Sequence, residues 1–388
     1  MKNFEEVNRR LAIVTLVVMT VQFLWLEGYE VSKIKVAFMT VAPLLALWRG
    51  IVVTKALTFS MLFLVVTLLL QLLHPDTFRA STHIYTLLFI LAFHLYYGLV
   101  WEKKCFTLDE FIKVLAGIIK IFFVFMVLQQ ACYTVGMSMP LLNYFGYGRW
   151  KFNSLAIEPS HTARLMTVYM YAYLKCVEYQ NGKAPSIKYL WMHHRSVIGM
   201  FLYMMLAMGS GTAVAGVVIV ALYFVRAKYL MFVLPSAFVL YMLTPVIDYE
   251  PLNRAMATAN AAMTMDTTEV VKADHSASAR VNIIIDTITH TDITDVDTWL
   301  GRGTDSWVMQ KHAVVSAISD YGILSYGLKL IFFFVCCFTA VVSIDTLILI
   351  LLFSFNIGNI AYGWACLMVL STVKFFKIKD NRKRQLNK

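Results

Sequence analysis

Residues 56–73 read ALTFSMLFLVVTLLLQLL, eighteen positions without a formal charge. A helix of that length rises about 27 Å, close to the ~30 Å hydrocarbon core of a bilayer. In lipid a helix is favoured because it satisfies all of its backbone polar groups internally. Further apolar runs begin near residues 11, 34, 83, 114, 159, 196, 211, 230 and 321. The apolar region 344–376 is long enough for a hairpin broken at Asn356-Ile357-Gly358-Asn359, a turn-forming cluster. The pair at 196–225, divided by Gly209-Ser210-Gly211, is short for two full crossings. The pattern predicts an all-α polytopic membrane protein with about 12 transmembrane helices, forming a single membrane domain over residues 1–388.

Composition agrees with that reading. Of the 388 residues, 59% are hydrophobic and 15% charged, whereas soluble domains carry about 25% charged residues. Lys and Arg number 34 against 23 Asp and Glu, a net +11. In a chain this apolar, that excess points to basic cytoplasmic loops and away from nucleic acid. The six cysteines, at 105, 132, 176, 336, 337 and 366, lie in or beside apolar stretches and form no C-x-x-C pair, so neither a disulfide framework nor a zinc site is expected. Lys2, Arg9 and Arg10 precede the first apolar run as in a signal sequence, but no small-residue cleavage site precedes Glu27. A retained first helix is expected.

Short loops carry 21 Lys and Arg on one side of the predicted topology against 6 on the other. Both termini are therefore expected in the cytoplasm. The long segment 248–311 then faces outward; it holds ten acidic and five basic residues. Its Ala255–Ala262 and Val281–Ile288 stretches suit short helices on the membrane surface.

Three outward clusters carry the chemistry. One runs from Gly148-Arg149-Trp150-Lys151 to Glu158-Pro159-Ser160-His161 and Arg164; the others are Ser278-Ala279-Arg280 and Gly301-Arg302-Gly303 leading to His312. A shared site collecting Arg149, Lys151, Arg164, Arg280 and Arg302 suits a multiply charged anion such as a diphosphate. Pro159 fits the first helical position, which places Ser160, His161 and Arg164 in the opening turns, where free backbone N–H groups favour an anion. Glu158 either complements this helix end or takes a catalytic or acceptor-binding role. His161 is either an interfacial histidine or a proton carrier. Arg302 either pairs with Asp295, Asp297 or Asp305 or reaches a bound group from its glycine-flanked turn. Elsewhere, Lys120 can snorkel and Lys329 needs a partner. His94 and Gln129-Gln130 suit interhelical hydrogen bonds, and His193-His194-Arg195 reads as a cytoplasmic loop.

At these residues the chain resembles the bacterial O-antigen polymerase and O-antigen ligase superfamily. The likeness rests on Glu158-Pro159-Ser160 with upstream Arg149, the Ser210-Gly211-Thr212 turn, Ser278-Ala279-Arg280, Gly301-Arg302-Gly303, and His312 followed by Tyr321-Gly322-Ile323-Leu324. It spans roughly residues 140–345. Gly211 stands where that family often has arginine, and Ala313 where its loop histidine is commonly followed by asparagine.

The resemblance implies a multi-pass enzyme of the bacterial inner membrane. Such an enzyme transfers a growing glycan from undecaprenyl diphosphate onto a lipid-linked repeat unit of O-antigen, capsule or exopolysaccharide. Arg149, Arg164, Arg280 and Arg302 would stabilise the charge that develops on the diphosphate. His312 or Glu158 would take the acceptor proton. No metal or cofactor is required by that chemistry. The implied partners are the undecaprenyl-diphosphate-linked oligosaccharide, membrane lipids, and chain-length regulator and flippase proteins. A ligase delivering finished glycan to lipid A core or protein is the alternative within this chemistry, and a lipid-linked oligosaccharide transporter is the alternative outside it.

Overall fold

Helix starts are set by local hydrogen bonding. In the computed structural model, which describes residues 2–21, 54–78, 80–137, 151–224, 292–301, 316–338 and 361–386 with isolated positions between them, Thr54, Thr107, Ser186 and Ser210 each accept a backbone N–H in the first turn that follows. Thr107 and Glu110 complete a reciprocal capping box. The helices are α1 (Lys2–Thr20), α2 (Lys55–Leu72), α3 (Ala80–Trp101), α4 (Leu108–Thr134), α5 (Pro159–Asn181), α6 (Ile187–Ala207), α7 (Gly211–Leu222), α8 (Val296–Leu300), α9 (Ser316–Cys337) and α10 (Ala361–Leu386). No strand occurs among the described residues.

The protein is a helical membrane protein. Among the described residues, Lys55–Leu72, His83–Trp101, Leu108–Thr134 and Ala361–Asn381 are long and apolar enough to cross a bilayer. Several expected boundaries move. The run from 196 belongs to a helix that starts at Ile187, so His193-His194-Arg195 is helical rather than a loop. The 12-residue α7 rises only about 18 Å, short of a full crossing. The runs beginning near 34 and 230 and the turn at Asn356–Asn359 lie outside the described residues, as does most of 248–291.

Side-chain contacts fix the direction of each helix. Arg9 pairs with Glu110, Gln180 donates to Asp109 Oδ1 (2.8 Å), Tyr189 OH donates to Asn181, and Trp101 meets Phe375 edge-on. One end of the bundle therefore gathers the starts of α1, α4 and α6, the ends of α3 and α5, and the second half of α10. Lys103, Lys104, Lys113, Lys183, Lys188 and Lys377 all lie at that end. The opposite end gathers the starts of α5, α7 and α10 and the ends of α4 and α6.

The axis of this bundle is α5. It packs against α4, α6, α7 and α10, and Thr20 of α1 hydrogen-bonds Tyr169 at its middle. Contact with α7 is closest at Gly216, where an added Cβ would sit 2.1 Å from Thr167 Oγ1. Small residues permit such close approach where lipid supplies no hydrophobic drive between helices. On the far side of α10, Phe93, Phe332 and Trp364 join α3, α9 and α10 at centroid distances of 5.5–5.9 Å. Lys374 Nζ donates to the carbonyls of Phe334 (3.1 Å) and Val335 (2.7 Å), capping the end of α9. Lys329, buried within α9, lies over the Phe63 ring of α2 at 5.6 Å. His94 and Ser60 share a 2.8 Å bond between α2 and α3.

Candidate functional site

The approach to α5 is irregular backbone buried in protein, which membrane proteins tolerate only when its polar groups are satisfied. Two amides satisfy them. Gln129 Nε2 donates to Asn153 Oδ1 and to the Ser154 carbonyl, both at 3.1 Å, and Ser154 N–H donates back to Gln129 Oε1 at 2.7 Å. Asn153 Nδ2 donates to the carbonyls of Ala156 (2.7 Å) and Ile157 (3.0 Å), and Thr162 Oγ1 donates to the Asn153 carbonyl. Phe152 N–H donates to the Ala207 carbonyl at the end of α6. Ser154 takes φ +51°, a left-handed conformation held by these bonds and by its hydroxyl on the Phe122 carbonyl (2.6 Å).

This clamp delivers Glu158 to the mouth of α5. Pro159 is the first helical residue and Glu158 the N-cap, with extended backbone. The Glu158 carboxylate makes no cap hydrogen bond; it accepts from Ser160 Oγ (3.2 Å), and its Oε2 stands 3.9 Å from His161 Nε2. Its side chain is 56% exposed, that of His161 only 12%. One turn deeper, Arg164 is buried. Tyr362, at the start of α10, meets both residues. Its hydroxyl accepts from the Arg164 guanidinium (3.2 Å), and its ring lies 4.7 Å from the His161 ring. Positions 158, 161 and 164 thus form one helical face, graded from exposed carboxylate to buried cation.

A second junction lies between α8 and α9. The α9 backbone breaks at Gly322 (φ 74°, ψ 162°), where an added Cβ would sit 2.2 Å from the Trp299 carbonyl and 2.6 Å from the Gly301 nitrogen. Gly301 itself has φ 87°. Gly301 and Gly322 of α9 thus meet at one point, with backbone too close there for a side chain. The turn leading into α8 is tied by Asp292, whose carboxylate accepts from Thr294 Oγ1 (2.6 Å) and Thr294 N–H (2.8 Å). The Thr294 hydroxyl, then its N–H, holds that carboxyl below its ordinary range.

Of the residues singled out from the sequence, the structure brings Glu158, His161 and Arg164 together and places Lys151 half-buried at the head of the clamped loop. Arg149, Arg280, Arg302 and His312 lie outside the described residues. Sequence reasoning passed over Tyr362 and Asn153. Asp295 and Asp297, weighed from the sequence only as partners for Arg302, form an Asp-x-Asp pair in the long loop, and the first caps α8 by accepting Asp297 N–H (3.1 Å). Among the described residues no three His, Cys, Asp or Glu stand together as a metal site. No family model, curated protein or solved structure matches the chain.

Proposed function

We propose that the protein is a metal-independent glycan polymerase of the bacterial inner membrane, with about a dozen crossings and both termini cytoplasmic. It moves a growing polysaccharide from undecaprenyl diphosphate onto a lipid-linked repeat unit. The observation that carries this reading is the Glu158, His161, Arg164 and Tyr362 constellation at the end of the bundle opposite the basic helix ends. Arg164 supplies a fixed planar cation for a departing diphosphate. Glu158, exposed at the mouth, offers two carboxylate oxygens to an acceptor hydroxyl. Arg149, Arg280 and Arg302 complete the anion site in this reading, and His312 is the base.

The test is the surface glycan of a deletion strain. Single repeat units on the lipid core support the polymerase. Finished polymer stranded on its lipid carrier assigns the ligase reaction instead, and repeat units trapped on the cytoplasmic face assign transport. Unchanged surface glycan removes the proposal.

A further inference from the structure

The first three turns of α6 carry a charged surface at the end of the bundle remote from Glu158. No Asp or Glu falls between Glu178 and Asp248, while Lys188, His193 and Arg195 all lie in these turns. Helical spacing puts Ile187, Lys188, Trp191, Met192 and Arg195 on one stripe. That stripe faces away from the bundle: Ile187, Trp191 and Met192 are 67%, 61% and 59% exposed, and Lys188 and Arg195 are exposed with them. The opposite face is fixed. Leu190 is buried, the His194 ring hydrogen-bonds the Tyr173 hydroxyl of α5 (2.6 Å), and Tyr189 stacks on His193 (4.5 Å). The helix therefore holds Trp191 and Met192 outward.

Lys188 and Arg195 lie about 10 Å apart along the helix axis, bracketing the tryptophan and methionine. An apolar patch between two cations is poorly served by water. It is well served at the headgroup level of an anionic leaflet, where the rings and thioether meet hydrocarbon and the cations meet phosphate. A second copy of this chain would set like charges against each other, and free phosphate would leave Trp191 and Met192 exposed. We propose that the α6 stripe from Ile187 to Arg195 binds an anionic phospholipid, its phosphate between Lys188 and Arg195 and an acyl chain against Trp191 and Met192. This site is independent of the transferase reading.

Native mass spectrometry of the purified full-length protein in detergent tests it, with dioleoyl phosphatidylglycerol, dioleoyl phosphatidylcholine and inorganic phosphate as probes. Wild type retains phosphatidylglycerol. The K188Q/R195Q variant binds it about 30-fold more weakly, roughly fivefold for each cation removed. The K188R/R195K variant, which keeps both charges, keeps the lipid and so separates charge from stability. Equal phosphatidylglycerol binding by wild type and K188Q/R195Q overturns the proposal. So does retention of phosphatidylcholine or inorganic phosphate to the same extent, or a protein dimer abolished by K188Q/R195Q.

Discussion

The two ends of α5 are tied down by different chemistry. At the Glu158 end the ties on the backbone are neutral: the Gln129 and Asn153 amides, the Ser154 and Thr162 hydroxyls and main chain. At the basic end they are charged. Glu178 of α5, paired with Lys175 of the same helix at 2.8 Å, accepts from Tyr223 beyond α7 at 2.8 Å, Gln180 donates to Asp109 of α4 at 2.8 Å, and beside them Arg9 of α1 pairs with Glu110 of α4. Burial close to that last pair pushes the Cys105 thiol up to about 12. Charges at one end serve to hold helices together. At the other, amides hold the backbone, and the charged groups Glu158 and Arg164 stay on the helix face that leads inward from the mouth.

The comparison breaks most readily at the neutral clamp. Gln129→Leu removes three hydrogen bonds and strands the buried Ser154 N–H and carbonyl, so it destabilises the protein by about 3 kcal/mol, at ~1–3 kcal/mol for each stranded group. Thermal unfolding of the detergent-solubilised protein measures this; a melting temperature equal to wild type means the clamp is not what holds the α5 entrance. Next in size is Arg164→Lys, which keeps the charge and loses the planar fork. Under the transferase reading, polymer formed by isolated membranes falls at least about tenfold while protein level is maintained, and full polymer yield removes Arg164 from the reaction. The smallest effect belongs to the charged end. Lys175→Met costs about 1 kcal/mol, the scale of a partly exposed ion pair. Its destabilisation shrinks as salt is raised, because salt already weakens the pair in wild type. A cost equal to that of Gln129→Leu would erase the distinction between the two ends.

Local signals in the sequence carried the start of α5, because Pro159 needs no N–H and is preset for a first turn. The break at Gly209-Ser210 was legible for the same kind of reason: Gly209 takes φ 54° and Ser210 caps α7. Other features depend on residues far apart in the chain. Asn153 matters because Gln129 lies beside it across a helix boundary, and Tyr362 matters because α10 starts at the same end as α5. His193-His194-Arg195 looked like a loop by polarity alone. It is helical because Ser186 caps the helix and Tyr173 of α5 engages His194. The hydropathy pattern also ranked α5 as one crossing among many, although sixteen of its 23 residues are buried, Thr162, Arg164 and Thr167 among them.

That enclosure has a consequence for how the chain is made. A helix carrying Arg164, Thr162, Thr167 and Lys175 enters lipid poorly by itself, since insertion is governed by side-chain transfer energies along the segment. During synthesis α4 precedes it and supplies Gln129, while α6 and α7 follow soon after. Tyr362, however, arrives only with α10, long after α5 has left the ribosome. Until then the Arg164 face has no α10 to close it, so this part of the nascent protein needs a temporary cover from the insertion machinery or from another segment of the chain.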